Sequence, residues 1–140
     1  MIDTDELDRI YPPPYDDPHQ RRLTSKNLAV LWSNLRAAGA PRLILTMVAL
    51  HPEDELPSIR DAVPEAEITV VRLLASEDVL LERIGRREVG LGLGDQGRRS
   101  LEALRFMESG PAGEWLAVET TGRSVAEVAG ELLRRAGWPG

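Results

Sequence analysis

The sequence predicts an α/β fold built on a parallel sheet with helices over both faces. Two apolar runs are the first observation. RLILTMVAL (Arg42 to Leu50) and EITVVRLL (Glu67 to Leu74) are almost unbroken, as strands buried on both faces are. The second observation is order: strand-like and helix-period stretches alternate along the chain, the pattern of right-handed βαβ crossovers. The third is a well-marked last helix. Ser124 and Glu127 have capping-box spacing, and Val125, Val128, Ala129, Leu132, Leu133 and Ala136 form an apolar stripe that Gly137 closes.

The remaining elements follow in order. MIDTDELDRI is a short apolar stub running into acids. YPPPYDDP is an extended segment, because three prolines fix φ and remove amide donors. Asp17-Pro18 or Thr24 starts the first helix. Leu28, Leu31, Trp32 and Leu35 fall at i, i+3, i+4 and i+7 on one face, and Gly39 ends it. After the first apolar run comes a short helix with Pro57 in its first turn. Ser76 caps a helix through about Arg87, with Glu77 and Asp78 favourably placed near its N-terminus. VGLGLGDQG then reads as a glycine-spaced loop. A helix from Arg98 to about Glu108 ends at Gly110-Pro111, and EWLAVETT (Glu114 to Thr121) is the last long strand.

A chain of 140 residues with 42% hydrophobic content fits one folded domain. A net charge of −6 argues against non-specific nucleic-acid binding. No apolar run approaches the ~20 residues that span a bilayer, so no membrane partner is expected. There is no secretory signal pattern and no cysteine, so neither disulfides nor thiolate metal sites arise and the expected compartment is the cytoplasm.

In parallel sheets, ligands bind beyond the carboxyl ends of the strands. Asp3-Thr4-Asp5 follows the opening stub; two carboxylates at that spacing can hold Mg²⁺ and accept a hydroxyl proton, and the plain alternative is a solvated acidic turn. Arg83, Arg86 and Arg87 in ERIGRRE can clamp phosphate oxygens before a glycine lid, or simply suit a helix C-terminus. Glu119 to Arg123, ETTGR, presents amides and hydroxyls at the ligand edge, or is an ordinary turn before Ser124. His19 and His51 are isolated and read as surface or turn residues. Trp32, Trp115 and Trp138 read as packing residues, and Asp16-Asp17 and Glu53 to Glu55 as solvated acids.

A phosphate-binding loop G-x-x-x-x-G-K-[ST] is missing. The only lysine, Lys26, sits in LTSKNL with no glycine before it, and GLGDQGRR (Gly92 to Arg99) follows a helix and lacks the Lys and Ser/Thr. Even so, IDTDELD, LLERIGRRE and VETTGRSVAEVAGELLRRAGW, in that order, resemble the P-loop kinases of small molecules and nucleotides. That group includes shikimate, gluconate and adenylylsulfate kinases; an actinobacterial kinase-like branch is more similar still.

The resemblance covers nearly the whole chain. It implies a three-layer parallel sheet of the P-loop NTPase type, truncated at its N-terminus, as a single domain over 1–140 with a lid at about 83–105. It implies transfer of the γ-phosphoryl of ATP to a small hydroxylated acceptor. Asp3 and Asp5 would face that acceptor, with Asp3 on Mg²⁺. Arg83 and Arg87 would act on the phosphoryl group, Arg83 and Arg86 on the nucleotide phosphates. Thr120, Thr121, Gly122 and Arg123 would lie near the base.

Such kinases order their strands 2-3-1-4-5, and strand 1, the P-loop and the first helix would precede Met1. Both ATP and Mg²⁺ therefore depend on an upstream P-loop, and the chain as written is expected to be inactive. Three resolutions are open: a start upstream of Met1, which is favoured; direct pairing of the two apolar strands; or another chain in the gap, which includes a homodimer. The rival function is a non-catalytic binding or interaction module with the same fold.

Overall fold

The computed structural model describes residues 1–49, 52–87, 93–109 and 115–138, with only the backbone at Pro52, Arg87, Leu93, Gln96, Glu108 and Ser109. Leu50, His51, Gly90, Gly92, Gly110, Pro111 and Glu114 lie outside the described residues. Two compact units divide the chain, Met1–Glu67 and Ile68–Gly140.

In the first unit, β1 (Ile2–Asp3) pairs in parallel with β2 (Leu45–Thr46), Ile2 opposite Leu45 and Asp3 opposite Thr46. The Ile2 amide extends the ladder to the Ile44 carbonyl at 2.8 Å. The strand expected over Arg42 to Leu50 is thus two residues long among the described residues. Its partner leaves the sheet at once, because the Asp3 carboxylate accepts the Asp5 amide and starts a 3-10 turn over Thr4–Glu6.

Helix α1 (Arg21–Ala37) begins at neither expected position. Asp17 Oδ2 accepts the amides of Arg22 and Leu23, each at 3.1 Å, so the acid caps the helix from four residues upstream of its first residue. Gly39, at φ 91, closes it as expected. Its amide reaches the Arg36 carbonyl and that of Ala40 reaches the Leu35 carbonyl, a complete Schellman pair. Helix α2 (Pro52–Ala62) starts five residues before Pro57, so Pro57 lies inside the helix instead of in its first turn. Leu7, Leu28, Ile59, Ala62 and Val63 are the buried apolar residues here, and Leu28 is completely enclosed.

In the second unit, β3 (Val71–Leu74) pairs in parallel with β4 (Leu116–Glu119), from Val71 opposite Leu116 to Leu74 opposite Glu119. Helix α3 (Glu77–Arg87) starts directly after Ser76. Helix α4 (Leu93–Ser109) is longer than expected and takes in Gly94 and Gly97, which the sequence places in a loop. The reason is close packing: a Cβ on Gly97 would stand 3.3 Å from Leu81 Cδ2, so this glycine lets α4 approach α3. Arg105 bonds both Glu77 carboxylate oxygens, at 2.9 and 3.1 Å, and ties α4 to the start of α3.

Helix α5 (Val125–Arg135) carries the full capping box. The Gly137 amide reaches the Arg134 carbonyl and Trp138 that of Leu133, a second Schellman pair. Its apolar stripe is narrower than the sequence suggests. Val128 is buried and Leu132, Leu133 and Ala136 are half-buried, but Ala129 is exposed and Val125 is 86% exposed. Ile84, Leu104, Val118 and Val128 are the buried apolar residues of this unit. Trp115 packs under the Arg72 guanidinium, 4.5 Å from the ring centroid, as a packing residue should.

The described strands therefore form two separate parallel pairs, β1–β2 and β3–β4. Direct pairing of the two long apolar runs, one of the expected resolutions, is not found among them. Among the described residues, no helix is long and apolar enough to cross a membrane.

Candidate functional site

The carboxyl ends of β3 and β4 hold the densest polar network. Strand β4 ends at Glu119, and Thr120 to Arg123 turn the chain into α5, with Gly122 at φ 68 where a side chain would be strained. Thr120 is buried. Its hydroxyl donates to the Leu74 carbonyl at 2.7 Å and accepts from Arg83 Nη1 at 2.8 Å. Arg83 Nη2 donates to the Thr120 carbonyl at 3.0 Å, so one guanidinium joins α3 to the turn twice.

Thr121 Oγ1 accepts the Ser76 amide at 2.9 Å, which fixes the loop after β3 against the turn after β4. Glu119 Oε1 accepts the Thr121 amide at 2.7 Å and the Thr120 amide at 2.9 Å. The Thr121 amide, and then its hydroxyl, hold the Glu119 carboxyl below its ordinary range; burial opposes them, and the Thr120 amide and Arg83 add smaller contributions. Arg123 Nη1 bonds the Glu119 carbonyl at 2.9 Å and Glu131 at 2.7 Å. Arg123 and then Arg135 likewise lower the Glu131 carboxyl.

Of the sequence-nominated residues, Arg83, Thr120, Thr121, Gly122 and Arg123 come together here. Glu119 joins them, and Ser76 and Glu131, which the sequence did not single out for the site, complete the network. Glu119 opens ETTGR, so its place at a strand end was a visible signal; its grip on two amides was not.

The arginines divide by how firmly they are held. Arg83 is fixed on buried Thr120. Arg86 pairs with Glu82, one helical turn away, and both side chains are exposed. Such pairs contribute about 0.3–0.5 kcal/mol, so a phosphate group can take Arg86 from Glu82 at little cost. Arg83 and Arg123 would have to release protein acceptors first.

Asp3 and Asp5 belong to the first unit. Asp3 Oδ1 caps the 3-10 turn through the Asp5 amide at 3.2 Å, and both residues are exposed. Among the described residues, no cluster of three His, Cys, Asp or Glu side chains could hold a metal. Mg²⁺ commonly needs only one or two carboxylates beside substrate phosphates, so the exposed pair fits that lesser demand. His19 is exposed, as expected of a surface residue.

Two clefts stand apart from these groups. An open groove of about 490 Å³ lies between α3 and α4, with Leu81, Ile84, Gly97 and Leu101 in its walls and Arg98 at its edge. Arg83, Arg86 and Thr120 do not line it, and its walls offer little chemistry. A cleft of about 200 Å³ between α1 and α2 contains Lys26, Ser25, Ser58 and Asp61.

No protein-family model matches this chain, and neither a curated protein nor a solved structure matches it.

Proposed function

We propose that this chain is part of an ATP-dependent phosphotransferase acting on a small hydroxylated molecule in the cytoplasm. The observation that carries this reading is the strand pairing. β1–β2 and β3–β4 are both parallel, and they are the two pairs that a 2-3-1-4-5 sheet leaves when its first strand is taken away. The reading requires a phosphate loop that these 140 residues do not spell, since their sequence contains no G-x-x-x-x-G-K-[ST].

Mg·ATP, when bound, supplies the phosphoryl group and part of the charge neutralisation. The chain's own residues have simpler tasks. Asp5, or Asp3, orients the acceptor hydroxyl and takes its proton. Arg86, with Arg87, meets phosphate charge. Arg83 holds the Thr120 turn in place and keeps Thr121, Gly122 and Arg123 positioned beside the base.

A second reading is favoured by one observation. Arg83 and Arg123 are both engaged by protein acceptors. A fold that has spent its cations on its own turns suits a non-catalytic binding module.

The two readings separate in the protein isolated from its own cells. Phosphotransfer predicts a mass above 15.5 kDa by about 25–30 residues, the length of a strand–loop–helix unit, and Mg-dependent transfer from labelled ATP. A mass of 15.5 kDa with no nucleotide binding would move the assignment to the module.

A further inference from the structure

The cleft of about 200 Å³ between α1 and α2 takes no part in the phosphotransfer described above. Its walls are polarised. Arg21, Arg22 and Lys26 stand on the α1 side with Ser25, and Ser58 and Asp61 on the α2 side. Arg22 and Lys26 lie at i, i+4 on α1, and Ser58 and Asp61 at i, i+3 on α2, so each pair shares one helix face.

Near the start of both helices this polarity is closed by a direct contact. Arg21 Nε and Nη2 both donate to Glu55 Oε1, at 3.1 and 2.9 Å. Further along, a cation on α1 and an anion on α2 face the cleft again, and here the pair stays open. Among the described residues, neither Lys26 nor Asp61 makes a hydrogen bond or an ion pair, with the other or with a third group. Ser58 Oγ donates its one hydrogen to the Glu55 carbonyl at 2.8 Å, so a ligand can only donate to it. Asp61 lies in the last turn of α2, where the helix dipole adds to the attraction for a cation. One wall therefore offers donors and the other acceptors.

We propose that this cleft binds a small zwitterion, a free α-amino acid, with its carboxylate on Lys26 of α1 and its ammonium on Asp61 and Ser58 of α2. A simple anion would meet the Asp61 carboxylate, and a simple cation would meet Lys26 and two arginines. A molecule with both charges finds a partner on each wall. It completes across the cleft the cation-to-anion pairing that Arg21 and Glu55 make directly. Size points the same way. Drug-sized ligands occupy about 300–1,000 Å³, so a cleft of about 200 Å³ admits only a small molecule.

The test titrates the intact, isotope-labelled protein with the common free L-amino acids, followed by amide NMR signals. Acetate and methylammonium serve as probes that carry one charge each. At least one amino acid should bind with a Kd of about 1 mM or tighter and move the signals of residues 21–26 and 58–61. Each single-charge probe should bind about tenfold more weakly or worse. Lys26→Gln and Asp61→Asn should each weaken amino-acid binding by about tenfold or more, the effect of losing one hydrogen bond to a charged group. Both side chains are exposed, so the melting temperature of the unliganded protein should not move. If Lys26→Gln shifts it, Lys26→Arg, which keeps the charge, decides instead and should retain binding. No amino-acid binding, signal changes confined to other residues, or binding that ignores Asp61→Asn would overturn the proposal. Equal binding of acetate would also overturn it and make the cleft a plain anion site.

Discussion

Arg83 and Thr120, 37 positions apart in sequence, are joined by two hydrogen bonds, Nη1 to the hydroxyl at 2.8 Å and Nη2 to the carbonyl at 3.0 Å. The same hydroxyl bonds the Leu74 carbonyl, so one buried side chain connects β3, the turn after β4 and α3.

Thr120→Val keeps the shape of this side chain and removes its hydroxyl. One Arg83 donor then loses its partner, while the Leu74 carbonyl keeps the Thr120 amide at 2.8 Å. The expected cost is about 1–3 kcal/mol, the penalty for an unsatisfied buried group. Urea denaturation of wild type and variant checks it; an unchanged midpoint would mean water replaces the hydroxyl freely.

Leu28, in α1, is completely enclosed. Leu28→Ala should destabilise the protein by about 2–5 kcal/mol, through lost transfer energy and the cavity left behind. Ile10→Ala, at a site 49% exposed, should cost far less. The two melting temperatures compare the sites directly.

Two helical glycines should respond differently to alanine. A Cβ at Gly85 meets nothing within 4 Å, so Gly85→Ala should stabilise by about 0.5–1 kcal/mol through helix propensity. At Gly97 the new methyl lies 3.3 Å from the end of the Leu81 side chain, which must turn aside. Gly97→Ala should therefore gain less than Gly85→Ala, and Gly97→Val should lose stability. A Gly97→Ala gain equal to that of Gly85→Ala would argue against close packing of α3 on α4.

Acid should loosen the second unit. The carboxyls of Glu119, Glu127 and Glu131 all titrate below their ordinary range when folded, held by Thr121, Ser124 and Arg123 respectively. The unfolded chain binds protons first, so its proton uptake exceeds that of the folded chain as pH falls. Their contribution is complete above the unfolded value of about 4.3 and is lost as pH drops through the folded values. Glu119→Gln should flatten this acid limb in a stability profile from pH 6 to pH 3. An identical slope in wild type and variant would remove Glu119 from the account.

Much of the local structure was legible because its causes are local. The Ser124–Glu127 capping box and the Gly39 and Gly137 helix ends depend on residues within about one turn of each other, and all three stand as expected. The alternation of apolar runs and helical stripes likewise placed a strand or helix in nearly every correct region. Tertiary structure decided the rest. Strand lengths were set by the partner: β2 stops where β1 turns away into the Asp3 cap, however apolar its sequence. Gly94 and Gly97 lie inside α4, and the approach of Gly97 to Leu81 of α3 has no signature in a window of ten residues. Asp17, which the sequence offered with Pro18 as a start of the first helix, caps α1 from four residues before its first residue. At the candidate site, sequence by itself named Arg83, Thr120 and Arg123 but not their bonding, since a guanidinium can face a phosphate or a buried threonine equally well. Which one it meets depends on how the chain brings residues 83 and 120 together, and that is a property of the packed fold.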